Sequence, residues 1–139
     1  MHSLAIALKQ LGHVVSGSDD QIYGVSEERL RNHALLPEKP GFFKYRITPD
    51  IDTIILGMHA AVDNPELEQA KELGIRILSF PEYVYEHGKD KKRVVIAGSH
   101  GKTTITSMVM HVLKYWEADF DYLVGAQLEG FESNVRLTE

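Results

Sequence analysis

The sequence predicts an α/β fold, a parallel sheet wrapped by helices, on three observations. Apolar runs of strand length alternate with stretches of helical period. One of those runs, Asp50-Ile51-Asp52-Thr53-Ile54-Ile55-Leu56-Gly57, is almost continuously apolar, as in a strand buried on both faces. Later in the chain a hydrophobic stretch passes through a glycine loop straight into a long amphipathic helix.

The elements follow in order. Leu4, Ala7, Leu8 and Leu11 share one helical face, and Gly12 supplies a stop. Val14-Val15-Ser16-Gly17-Ser18-Asp19 reads as a short strand ending in a polar loop. Ser26 to Ala34 is predicted to be a helix capped by Ser26, with Leu30 and Ala34 facing inward. The segment from Leu36 to Pro49 holds three of the five prolines and is expected to be loop. After the strand near Ile54, Asp63 or Asn64 caps a helix that begins with Pro65, and Glu66 and Glu68 lie near the positive end of its dipole. Gly74 closes that helix, Ile75 to Leu78 is another strand, and Pro81 to Glu86 a short helix.

The pattern then breaks. His87-Gly88-Lys89-Asp90-Lys91-Lys92 is polar and is the expected linker between two domains, 1–88 and 93–139. Beyond it a strand at Arg93 to Ala97, a loop at Gly98 to Gly101 and a helix reaching about Trp116 restart the alternation. Ile105, Met108, Val109, Val112, Leu113 and Trp116 recur at steps of three and four, so this helix is expected to bury that face. A last strand covers Tyr122 to Gly125.

Composition narrows the function classes. With 15 basic against 20 acidic residues the net charge is −5, which leaves no electrostatic footprint for nucleic acid. No window approaches the roughly 18 apolar residues of a membrane-spanning helix, and Leu4-Ala5-Ile6-Ala7-Leu8 lacks the basic region of a signal peptide. Cysteine is absent, which excludes disulfides and thiolate metal sites. A cytoplasmic protein that engages neither membrane nor nucleic acid is the expectation. The seven histidines show no metal-ligand spacing.

One motif carries chemistry. Val94-Val95-Ile96-Ala97-Gly98-Ser99-His100-Gly101-Lys102-Thr103-Thr104 has the order strand, glycine loop, helix. Glycines let the backbone approach phosphate oxygens, and a helix start aims unpaired N–H groups and a positive dipole at them. Lys102 adds a mobile positive charge within reach of β- and γ-phosphates, and the Thr103 hydroxyl stands where Mg²⁺ needs an oxygen ligand. The spacing is shorter than the Walker pattern, which requires glycine where Ile96 stands. Ser99 and His100 are adjacent on a tight loop with no orienting acid, so they are read as loop residues rather than a nucleophile and its base.

Ala97 to Thr104 resembles the ATP loop of the Mur ligase family, and the shortened spacing favours that family over other phosphate-loop proteins. Met1 to Leu8, with Leu11 to Asp19, resembles the first helix and second strand of the family's UDP-binding domain. Asn64-Pro65-Glu66 resembles its next signature, and Gly125 to Leu137 resembles a segment of the ATP domain. Within the family the likeness is greatest to the muramate–alanine and murein-peptide ligase branches. Gly130 to Leu137 leans to the second.

The resemblance implies a Rossmann-like UDP-sugar-binding domain at 1–88, incomplete because its first strand is missing, followed by the start of a P-loop ATP-binding α/β domain at 93–139. It implies an ATP- and Mg²⁺-dependent ligase that joins an amino acid or peptide to UDP-N-acetylmuramic acid through an acyl phosphate. Gly98, Ser99, His100, Gly101, Lys102, Thr103 and Thr104 would hold the nucleotide, with Lys102 catalytic and Thr103 on the metal. Asp19, His59 and Asn64 are the candidates for the sugar-nucleotide, and cap or loop roles are as good an account of His59 and Asn64. The family's glycine-rich turn would precede Met1 and its further acidic ligands would follow Glu139, so the chain is expected to be a catalytically silent fragment whose incomplete sheet self-associates. The competing reading is a stand-alone nucleotide-binding or regulatory module. A dinucleotide-dependent oxidoreductase would need a Gly-x-Gly-x-x-Gly turn, which the sequence lacks.

Overall fold

The computed structural model describes residues 1–57 and 63–139. In chain order it contains α1 (His2–Gln10), α2 (Gly24–Asn32), a single 3₁₀ turn (Lys44–Arg46), β1 (Thr53–Leu56), α3 (Pro65–Glu72), β2 (Arg76–Ser79), α4 (Phe80–His87), α5 (Lys102–Tyr115), β3 (Tyr122–Leu123) and β4 (Val135–Arg136). These gather into two compact units. The first comprises Met1, Ser18–Tyr23 and Pro37–Arg93, and the second His2–Gly17, Gly24–Leu36 and Val94–Glu139. One boundary between the units falls between Arg93 and Val94, and the two N-terminal helices group with the C-terminal residues.

The first unit is built on a strand–helix–strand crossover. β1 and β2 pair in parallel, with Thr53 opposite Arg76 and Leu56 opposite Ser79. A parallel pair needs a long connection, and α3 occupies it. That helix starts where the sequence places it: Asn64 Oδ1 accepts the Glu66 N–H at 2.9 Å and Pro65 fills the first turn. Its end is equally local, with Gly74 left-handed at φ 68° and the Ile75 N–H returning to the Ala70 carbonyl. Ala70 is fully buried beneath it. α4 opens on a capping box, in which Ser79 and Glu82 exchange side-chain and backbone hydrogen bonds. Those bonds hold the Glu82 carboxyl below the usual carboxylate range.

The second unit holds most of the buried apolar residues. Leu4, Ile6, Ala7 and Leu8 of α1 are buried with Leu30, Leu35, Met110, Val124, Val135 and Leu137. α1 packs on α2 and on β4, and β4 pairs antiparallel with β3. Lys9 donates to the carbonyls of His33 and Ala34, so α1 closes the C-terminal end of α2.

Several expectations are corrected. Val14 to Asp19 and Arg93 to Ala97 form no strand. Extended residues become a strand only beside a partner ladder, and no strand among the described residues lies alongside them, so Val14, Val94 and Val95 are exposed. β1 is half-buried rather than buried on both faces, because among the described residues only β2 pairs with it. Ser26 lies inside α2, its hydroxyl paired with His2 Nδ1 at 3.1 Å, and does not cap it. Ala34 takes a left-handed φ of 50° at the helix end, so Leu35 turns inward in its place.

The largest correction concerns α5. Most of its expected inward face is exposed: Ile105, Met108, Val109, Val112 and Trp116 stand in solvent, Trp116 at 77%, and Leu113 is half-buried. Its contacts lie on the opposite side. There Met110 is buried, His111 meets the Phe131 ring edge-on, and Lys114 donates to the Gly130 carbonyl at 2.5 Å. Helical period shows that an apolar face seeks cover but does not name the neighbour that covers it. An exposed stripe of this size is expected to drive self-association. Light scattering should give a mass rising with concentration above the 15.7 kDa of one chain. The double variant Val109→Lys/Val112→Lys should hold it near the single-chain value, and equal association by the double variant would count against the stripe.

Candidate phosphate loop and sugar-nucleotide site

Residues 98–104 form a bend that enters α5, and all of them are exposed. Gly98 has φ 152° and Gly101 φ 77°, values that L side chains rarely adopt. A Cβ built on Gly101 would meet nothing within 4 Å, so backbone conformation rather than space demands glycine there. Gly101 is the N-cap of α5 and no side chain caps the helix, which leaves the amides of the first turn to an outside acceptor. Lys102 folds back, its Nζ donating to the Gly98 carbonyl at 2.5 Å and the Ser99 carbonyl at 3.2 Å. The ammonium is thus held against the backbone of the loop. Thr106 and Ser107 spend their hydroxyls on the carbonyls of Lys102 and Thr104, whereas Thr103, in the first turn of α5, is exposed.

These residues fit a polyphosphate with its Mg²⁺: a 14-residue helix presents an uncapped start, two glycines shape the turn, a lysine charge faces it and a hydroxyl stands beside it. Ser99 and His100 lie on the exposed turn between the two glycines, where their backbone would line a bound phosphate.

The sugar-nucleotide candidates are placed unevenly. Asp19 is exposed; its backbone carbonyl accepts the Gly41 N–H at 2.8 Å and its carboxylate accepts the Asp20 N–H at 2.9 Å. Asn64 is buried, with its side-chain oxygen committed to capping α3. His59 lies outside the described residues.

Around Asp19 the structure brings together residues that sequence reasoning did not single out. Glu66 Oε1 accepts the Ser18 hydroxyl at 2.7 Å and the Phe43 N–H at 2.9 Å. Arg46 donates to Ser18 Oγ at 2.9 Å, to the Gly41 carbonyl at 2.8 Å and to the Lys39 carbonyl at 2.6 Å. The Arg46 guanidinium also lies over the Phe43 ring, 4.8 Å from its centroid. Asn64-Pro65-Glu66 was legible as a helix start, which pointed to Glu66 as a dipole residue only. No local signal marks Arg46, since its partners lie 5, 7, 20 and 28 positions away.

The family model described as "Mur ligase family, catalytic domain" matches residues 1–92. The chain belongs to the Mur ligase family. Curated relatives agree: the UDP-N-acetylmuramate–L-alanine ligase of Dictyoglomus turgidum is 34% identical over 137 residues, covering 99% of this chain and 29% of the relative. The enzyme of that name from Sulfurihydrogenibium sp. is 37% identical over 139 residues, with 99% and 30% covered. Among solved structures, the UDP-N-acetylmuramate:L-alanyl-γ-D-glutamyl-meso-diaminopimelate ligase from Neisseria meningitides superposes with a TM-score of 0.82 at 29% identity. It covers 100% of this chain and 43% of that structure's chain. This Mur ligase chain thus spans under a third of the length of the curated relatives named. Its likeness reaches both of the branches suggested by the sequence. No helix among its described residues is long and apolar enough to cross a membrane.

Proposed function

We propose that this Mur ligase chain is the nucleotide-binding portion of a cytoplasmic, ATP-dependent ligase that joins an amino acid or peptide to UDP-N-acetylmuramic acid in peptidoglycan assembly or recycling. In this reading residues 1–88 serve the UDP-sugar and residues 93–139 begin the ATP-binding part. The end of the family match at residue 92 supports that division. The observation that carries the nucleotide assignment is the uncapped start of α5 beneath Gly98 and Gly101, with Lys102 folded over it.

Bound Mg²⁺-ATP supplies a transferable phosphoryl group whose charge the metal partly neutralises. The chain's residues do the positioning. Amides from Gly98 to Thr104, including those of Ser99 and His100, cradle the phosphates, and Thr103 offers its hydroxyl to the metal. Lys102 exchanges its two carbonyl partners for phosphate oxygens and neutralises charge where transfer takes place. Asp19, with His59 and Asn64, is assigned to the sugar-nucleotide; an exposed carboxylate on a pinned backbone suits the hydroxyls of a ribose.

This reading requires two independent sites on one chain. Calorimetric titration of the chain with Mg²⁺-ATP and with UDP-N-acetylmuramic acid should give saturable binding of each, unchanged by saturation with the other. Mutual competition, or binding of ATP alone, would sink the ligase assignment in favour of a general phosphate loop.

A further inference from the structure

The polar contacts around Asp19 join three segments of the first unit that lie far apart in sequence. Ser18 ends one, Lys39 to Arg46 forms the second, and Glu66 at the start of α3 is the third. Arg46 and Glu66 approach each other at 3.9 Å, with side chains only 19% and 13% exposed. Each reaches Ser18, Arg46 by donating to its hydroxyl oxygen and Glu66 by accepting its proton. The next residue is Asp19, whose carbonyl is held by the Gly41 N–H, while Arg46 in turn holds the Gly41 carbonyl. The Ser18–Asp19 backbone is thereby fixed from both sides, and the Asp19 carboxylate stays exposed.

A half-buried ion pair contributes little net stability, because desolvation offsets most of the Coulomb gain. What it supplies is geometry. A guanidinium carries its donors in a rigid fork, and here the fork ties the Ser18 hydroxyl of one segment to two carbonyls, of Lys39 and Gly41, on Arg46's own. The Phe43 ring lies beneath the guanidinium and stacks with Tyr45, their centroids 5.4 Å apart. Glu66 is anchored from behind, since its own N–H is tied into the Asn64 cap.

We infer that Arg46 and Glu66 are positioning residues that, acting through Ser18, hold the turn presenting Asp19 to the nucleoside of the sugar-nucleotide. The inference rests on the assignment of Asp19 to that ligand. Neither residue of the pair touches the nucleoside; they set the place and angle of the carboxylate that does. Loss of the pair therefore weakens a uridine nucleotide and leaves Mg²⁺-ATP unaffected, since the phosphate loop shares none of these contacts.

The test measures the affinity of the 139-residue chain for UDP and for Mg²⁺-ATP by calorimetry, with thermal midpoints alongside. Asp19→Ala should weaken UDP tenfold or more, and Glu66→Ala and Arg46→Ala by a similar factor, each with ATP affinity within twofold of wild type. Glu66→Gln, which keeps the acceptor oxygen, should restore UDP affinity to within about threefold. Arg46→Lys cannot span the three acceptors and should not restore it. Ser18→Ala removes one hydroxyl without enlarging any side chain, so it reports even if the pair variants fold poorly; a threefold to tenfold loss is expected. Wild-type UDP affinity in Asp19→Ala overturns the assignment of Asp19 and the inference with it. A loss in Asp19→Ala beside wild-type affinity in Ser18→Ala and Glu66→Ala overturns the inference alone. A parallel fall in UDP affinity, ATP affinity and thermal midpoint assigns the pair to general stability and also overturns it.

Discussion

Replacing Lys102 by alanine should lower ligation by roughly 10²- to 10³-fold in a polypeptide of the family's full length, an effect of about 3–4 kcal/mol on the transition state. The side chain is exposed and its hydrogen bonds are to the carbonyls of Gly98 and Ser99, so its removal breaks no packing. What disappears is a charge that, in the proposed reading, would turn from these carbonyls to the transferring phosphoryl group. Lys102→Met keeps the stem and loses only the charge, so it should be as damaging as alanine. Thermal midpoints of both variants should match wild type. Turnover of either within about threefold of wild type would show that the loop is structural and that the ammonium plays no part in transfer.

Leu4→Ala should cost about 2–5 kcal/mol of folding stability, a large share of the roughly 5–15 kcal/mol typical of a domain. Leu4 is 1% exposed and is the largest fully buried side chain among the described residues. It lies on α1, which packs against both α2 and β4, so the cavity would open between elements that shrink together only by moving backbone. Denaturant unfolding measures the loss, and Val14→Ala is the matched control because Val14 is fully exposed. A Leu4→Ala midpoint equal to that of the control would mean that α1 does not pack as described.

The helix boundaries that were legible have a local cause. Asn64 and Pro65 begin α3 and Gly74 ends it because an N-cap, a proline at the first turn and a left-handed glycine act within a few residues. Gly12 ends α1 by the same route, the His13 N–H returning to the Leu8 carbonyl. Two other helices end in the same pattern without glycine, at Ala34 and Glu117. Those ends carried no glycine signal, and at Ala34 it is Lys9 from another helix that meets the carbonyls.

What the sequence determined by itself, then, is the local chemistry: helix starts and stops, the parallel crossover around α3, and a glycine-lysine-threonine turn at the head of α5. Each depends on residues within a turn or two of one another, or on a strand–helix–strand alternation whose connection is long enough for parallel pairing. Tertiary structure alone decided which apolar residues are covered. Val94, Val95 and the stripe from Ile105 to Trp116 have the pattern of buried elements and stand exposed, because burial belongs to a pair of surfaces and pattern describes only one of them. It also decided the surroundings of Asp19. Arg46, Glu66 and Ser18 meet across 20 to 48 positions of sequence, and no residue-level preference of any one of them encodes the other two.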